Sequence, residues 1–259
     1  MRPLILISND DGYHSKGLAS LVDMVRDMAD LLVCAPESAR SGFSCAFSAM
    51  DYLTLKRRNR WGDGVTLYSC SGTPVDCVKI GLDRLCPRRP DLILSGINHG
   101  DNASVNTHYS GTMGVVMEGA MKYIPSIAYS LASYAEDADF EPCRKLIRAI
   151  TQKVLSEGLP EGVCLNVNFP NTKEFKGVRP ARMARGTWAN EVMACQHPRG
   201  FEYYWMTGNY INDEPEADDT DNWGINHGYV TITPTRVDVT HYEMLDKLKD
   251  WDEILSDCR

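Results

Sequence analysis

The chain has 259 residues, 43% of them hydrophobic and 24% charged, and a formal net charge of −8; this is the balance of a globular protein long enough for a sizeable core. The acidic surplus excludes a basic footprint for a nucleic-acid polymer, and no run approaches the roughly 20 apolar residues that span a bilayer. Nine cysteines, an odd number with no C-x-x-C pair and several inside apolar runs such as Leu31-Leu32-Val33-Cys34, read as reduced thiols of a cytoplasmic protein rather than a disulfide framework or a zinc site.

Leu4 to Ser8 reads as the first strand. Its apolar run is too short for a signal peptide and stops at Asn9-Asp10-Asp11-Gly12. Two adjacent carboxylates at a strand tip raise each other's cost of ionisation unless something positive lies between them. From Gly17 onward Leu18, Leu21, Val22, Val25 and Met28 recur at helical spacing. Leu31 to Ala35, closed by Pro36, then completes a strand–helix–strand unit. The polar stretch PESARSGFSCAFSAM follows, and after it a β-rich stretch from Tyr52 to Cys70 with turn material at 59–64. Thr73 suits a helix N-cap and Pro74 the first helical position, with Val75, Val78, Leu82 and Leu85 as the buried stripe.

PDLILSGINHG supplies another short strand ending in a polar, glycine-containing loop, and YSGTMGVVMEGAM a loop entering a helix at Ser110 or Thr112. Ser126 to Leu131 is a further strand, and Ile147, Ile150 and Val154 mark a further helix. Strands alternating with helices predict an α/β fold, an open and mostly parallel sheet flanked by helices. Beyond about residue 163 the chain becomes aromatic and irregular, with FEYYW at 201–205. The six acidic residues between 213 and 221 read as a solvated loop, since EF-hand spacing is absent. GYVTITPTRVDVT alternates like a strand with one wet face, and YEMLDKLKDWDEIL fits a C-terminal amphipathic helix. No repeat or low-complexity linker divides the chain. It is expected to form one domain, with a β-rich extension from about residue 177 used in oligomerisation.

In an open α/β sheet, ligands bind outside the carboxyl ends of the parallel strands. Three predicted strands end in loops of one chemical flavour: Asn9-Asp10-Asp11, PESARSG and GINHGDN. Together they offer Asp10, Asp11, Ser38, Ser41, Asn98 and Asn102, hard oxygen donors suited to Mg²⁺, Mn²⁺ or Ca²⁺. The plainer alternative is that the two aspartates cap the helix after them. Ser110-Gly111-Thr112 at a helix start is either an N-cap or an anion cradle, without the pattern of a P-loop. His14, His99 and His108 lie in the same loops, as acid–base groups or as ordinary loop residues.

Taken in order, ISNDDG, APESARSG, SGTPVDCV, LSGINHGDN and YSGTMGVVMEGA closely resemble the motif series of the SurE family from about residue 5 to 131, and GYVTITPTRVDVT is also similar. The resemblance implies a Rossmann-like core with a C-terminal extension that takes part in homodimers or homotetramers. It implies a metal-dependent phosphatase acting on nucleoside 5′-monophosphates, with Asp10, Asp11, Ser41 and Asn98 as ligands of Mg²⁺ or Mn²⁺ and the aspartates at the catalytic centre. Asn9, Asn102, Ser110, Gly111 and Thr112 are carried over as substrate-binding positions. The chain departs from the family at His99, at 103–108 and at Glu37-Ser38-Ala39, which leaves substrate preference open, including 3′-nucleotides and polyphosphate. The competing reading is a receiver-like, Mg²⁺-binding signalling module. That class needs a phospho-accepting Asp at the end of a later central strand, where this chain has Ser95-Gly96-Ile97-Asn98.

Overall fold

The computed structural model describes residues 2–251. The first half of the chain forms β1 (Leu4–Ser8), α1 (Lys16–Val25), β2 (Asp30–Pro36), β3 (Leu55–Arg58), β4 (Val65–Cys70), α2 (Pro74–Ile80), β5 (Leu92–His99), the single turn α3 (Asn106–Tyr109), α4 (Gly111–Met121) and β6 (Ser126–Leu131). The second half adds α5 (Arg144–Glu157), β7 (Val163–Phe169), β8 (Gly177–Pro180), β9 (Gly186–Ala189), β10 (Val192–Gln196), β11 (Glu202–Met206), β12 (Asn209–Asn212), α6 (Asp221–Asn226), β13 (Tyr229–Arg236) and α7 (Tyr242–Lys247).

A nine-stranded sheet in the order β3-β4-β2-β1-β5-β6-β7-β13-β8 organises the molecule. Its central run from β4 to β7 is parallel, while β3 and β13 run antiparallel to β4 and β7. Both faces of β1 are buried, as expected of a parallel strand covered by helices on each side. Ile5 and Ile7 join Leu18, Leu21 and Val22 of α1 and Ile147 of α5 in one core. Leu6 faces the other way, into a core with Val78 of α2 and Met113 and Val116 of α4. Strand order reverses between β1 and β5, so the carboxyl ends of these two strands open onto a topological switch point.

Local chemistry accounts for the helix starts. Thr73 and Asp76 form a reciprocal capping box at α2 with Pro74 in its first turn. The regular helix stops at Ile80, and Leu82 and Leu85 lie in a wider turn at Gly81–Leu85. There Gly81 faces Leu6, and a side chain would press on it. In β5 the pairing with β6 shifts register between Ser95 and Asn98. Gly96 sits there at φ +114°, where a Cβ would collide with the Tyr129 carbonyl, so only glycine fits. The shift leaves Asn98 at the strand tip.

Two features of the C-terminal part depart from expectation. In β13 the face expected to be wet is buried: Thr231 and Thr233 are buried with Val230, because the strand lies inside the sheet between β7 and β8 and Gly224 of α6 packs on Thr231, while the exposed residues are Pro234 and Arg236. The acidic run is not simply solvated, since Asp221 is fully buried and Glu214 pairs with Arg182 at 2.5 Å and Arg185 at 3.1 Å. Within the C-terminal part, β8 and β13 belong to the main sheet. What projects is an arm of two antiparallel pairs, β9–β12 and then β10–β11. The expected C-terminal helix begins as α7 and a short turn at Lys249–Trp251; its remainder, 252–255, lies outside the described residues.

Candidate active site

A cleft of about 380 Å³ opens at the switch point, lined by Asp10, Asp11, Ser41, Asn98, Asn102 and Ser110 among the residues singled out from sequence. That volume falls within the roughly 300–1,000 Å³ of small-molecule sites. Asp10 ends the β1 segment almost fully buried, at 3% exposure. Burial first, and then the charge of Asp11, push its carboxyl up to about 6. The Thr112 hydroxyl, 2.6 Å from Asp10 Oδ1, opposes that shift, as does the Thr112 main chain. Asp11 is less buried; desolvation raises its pKa too, against one long hydrogen bond of 3.4 Å from the His99 N–H. Among the described residues no lysine or arginine lines the cleft, so no permanently charged cation there neutralises the pair.

The side chains around the aspartates are held from outside the cleft. Asn98 donates Nδ2 to the Gly100 carbonyl at 2.9 Å, which leaves its Oδ1 acceptor 3.3 Å from the Thr112 hydroxyl. Ser41 is exposed in the loop after β2, and that loop is tied to β1 by the Arg40 N–H on the Asp10 carbonyl at 2.7 Å. The aspartates do not cap α1: Ser15 does, accepting from the Leu18 N–H.

Other expected positions spend their polar groups on the scaffold, some of them while lining the cleft. Asn9 donates to the Gly12 carbonyl and to Ser15 Oγ, fixing the turn that presents the aspartates. Asn102 reaches the cleft, but its amide donates to Ser130 and its main-chain N–H to Asn168. Ser110 caps α4 through the Met113 N–H while lining the cleft. Thr112 serves Asp10 and Asn98, so part of the expected anion cradle is taken by the protein's own carboxylate. Gly111 packs on Asp10: a Cβ there would lie 2.7 Å from Asp10 Cβ and 3.1 Å from Pro74. Gly111→Ala is therefore expected to displace Asp10 and cut turnover by roughly 10²-fold with a folded circular dichroism spectrum; wild-type turnover would refute the packing argument.

Of the histidines, His99 lines the cleft, edge-on to Phe140, with its pKa lowered mainly by burial. His14 and Ser38 are exposed and outside it, and His108 borders a different groove. Sequence reasoning missed Asp101, Asn106, Tyr109, Tyr134 and Trp188, which complete the lining. Four of these lie in loops or turns near predicted strand ends, a signal that could have found them. Trp188 comes from β9 in the extension, and no local pattern points to it.

Comparison with known proteins agrees with this fold. Residues 5–190 match the family described as Survival protein SurE. The chain is 53% identical over 250 residues to the 5′-nucleotidase SurE of Phocaeicola vulgatus, covering 96% of this chain and 97% of that one. It is 47% identical over 254 residues to the 5′-nucleotidase SurE of Bacteroides fragilis, with 97% and 98% covered. The crystal structure of the SurE protein from Aquifex aeolicus superposes with a TM-score of 0.82 at 34% identity, covering 96% of this chain and all of that one. The receiver-like alternative has no support in these matches, and β5, LILSGINH, carries no acidic residue. Matched along most of its length in sequence and along nearly all of it in fold, this chain belongs to the SurE family.

Proposed function

We propose that the chain is a metal-dependent 5′-nucleotidase, hydrolysing nucleoside 5′-monophosphates to nucleoside and inorganic phosphate. The observation that carries this reading is the pair Asp10 and Asp11, two carboxylates lining one cleft without a lysine or arginine among the described residues beside them. Asp10, Asp11, Ser41 and Asn98 offer only oxygen donors, a set that fits Mg²⁺ or Mn²⁺. The raised pKa of both carboxyls marks a site short of positive charge. Bound there, such an ion supplies charge for the phosphoryl oxygens and lowers the pKa of a coordinated water. The relatives named above as 5′-nucleotidases support the substrate class.

The chain's own residues do the rest. Thr112 and Asn9 hold the aspartates in place, Ser110 offers a hydroxyl at the mouth of the cleft, and Gly111 and Asn102 border the space for the phosphate. 3′-Nucleotides and polyphosphate present the same phosphoryl group and are candidate further substrates. The chain acts as one domain whose extension from about residue 177 assembles homodimers or homotetramers. The exposed arm residues Val192, Met193, Tyr204, Trp205 and Met206 favour this, since apolar surface of that extent marks interaction sites. The eight cysteines among the described residues are unbridged, in keeping with the cytoplasm, and no helix among those residues is long and apolar enough to cross a membrane.

The test is phosphate release from nucleoside 5′-monophosphates by the pure protein against a panel of divalent metals. Activity should vanish after thorough chelation and return with Mg²⁺ or Mn²⁺. Turnover that persists after metal removal would sink the assignment.

A further inference from the structure

We propose that Trp188, carried into the cleft by the arm of the extension, is the wall on which the nucleobase stacks. The proposal rests on the nucleotidase reading above and adds a base subsite to it. Trp188 lines the same cleft as Asp10 and Asp11 and is only half-buried, so part of its ring is open. Its position is over-determined from behind. The indole Nε1–H donates to Asn106 Oδ1 at 3.0 Å, and Asn106 in turn donates Nδ2 to Asp101 Oδ1 at 3.4 Å. Tyr210 of β12 meets the indole edge-to-face, with ring centroids 6.2 Å apart. Tyr210 is itself anchored: Ser104 Oγ gives its proton to the Ala184 carbonyl at 2.8 Å, so the Tyr210 hydroxyl is the donor in their 2.5 Å contact.

That bracing decides what the indole can offer. Its polar edge is spent on Asn106, which leaves a flat apolar face and no free donor for a base edge. A face of this kind rewards area and planarity rather than base identity, because every nucleobase has a π-face. Purine nucleotides should therefore gain most, pyrimidine nucleotides less, and a phosphate ester without a base nothing. Tyr109 and Tyr134 line the same cleft but are 56% and 76% exposed, and among the described residues no side-chain hydrogen bond holds either in the way that Asn106 holds Trp188.

The experiment compares adenosine 5′-monophosphate with ribose 5-phosphate in the full-length wild type, Trp188→Ala and Trp188→Phe. In Trp188→Ala the ratio of kcat/KM for the nucleotide to that for the sugar phosphate should fall by roughly 5- to 150-fold, the scale of one base–aromatic stack. The loss should appear mainly in KM, because a stack is made equally in the ground and transition states. Trp188→Phe, which keeps a face without the N–H, should restore most of the ratio. An unchanged ratio, including one where both substrates lose activity in parallel, overturns the proposal and leaves Trp188 a structural part of the arm. Calorimetric binding of the same two compounds separates this from the underlying reading. If the wild type binds the nucleotide but releases no phosphate, the nucleotidase reading fails, and the wall still stands or falls on whether Trp188→Ala weakens binding of the nucleotide alone.

Discussion

Asp10→Asn is expected to abolish most phosphate release, by roughly 10²–10³-fold, and yet to raise the melting temperature of the metal-free protein at neutral pH. The two effects share one cause. Asp10 is buried beside Asp11 with no lysine or arginine among the described residues lining the cleft, and its pKa is pushed up from 3.8 to about 6. A carboxyl whose folded-state pKa is raised stabilises the fold fully only below its unfolded pKa, and the contribution is lost as pH rises through the folded value. In the window from about pH 4 to 6 the metal-free wild type therefore loses stability that the uncharged amide keeps. The difference reaches roughly 3 kcal/mol above pH 6, at about 1.4 kcal/mol per pKa unit. Thermal melts in chelator from pH 4 to 8 should show the gap between variant and wild type opening through that window and flat above it. Added Mn²⁺ should then raise the melting temperature of the wild type and leave that of the variant in place, since binding to the native state alone stabilises it. A gap independent of pH would refute the electrostatic account, and full activity in the variant would refute the catalytic one.

The second large effect is structural. Asp221→Ala should destabilise the protein by about 3 kcal/mol, lowering the melting temperature by roughly 6–12 °C for a domain of this size. Asp221 Oδ2 accepts from the Ser104 N–H at 2.9 Å, and Oδ1 from the Ala184 N–H at 2.9 Å and the Asn222 N–H at 2.7 Å. Truncation strands those donors in a fully buried site, and an unsatisfied buried donor costs roughly 1–3 kcal/mol. The same carboxylate joins the loop carrying Asp101 and Asn106 to the strand entering the arm, so activity should fall with stability. Wild-type melting behaviour would show that the loop does not depend on this carboxylate.

Much of the core was legible because its signals are local. Leu4–Ser8 as a strand, the helix from Gly17, the Thr73-Pro74 helix start and the strand at 126–131 follow from periodicity and capping, which act within a few residues. Asp10, Asp11, Ser41 and Asn98 were found because strand-end loops collect at one sheet edge, and the observed order β2-β1-β5 puts them there. Reasoning of that kind fails where burial depends on partners remote in sequence. Alternation in β13 suggested a wet face, but strand pairing on both sides and α6 above it buried the threonines. The charge count of 213–221 suggested a solvated loop, but one of its carboxylates became a buried acceptor for three main-chain donors.

By itself the sequence determined the alternation of strands and helices, the motif series and the electrostatic demand of two adjacent carboxylates, because each depends on residues close in the chain. The tertiary structure alone decided which polar residues face the cleft and which turn away to hold it, as Asn9 and Thr112 do. It also decided that an indole from the extension lines the same cleft as the aspartates that follow the first strand. Hydrogen-bond satisfaction and packing are settled by distance in space, and Trp188 and Asp10 come to line one cleft only when the sheet and the arm border the same opening.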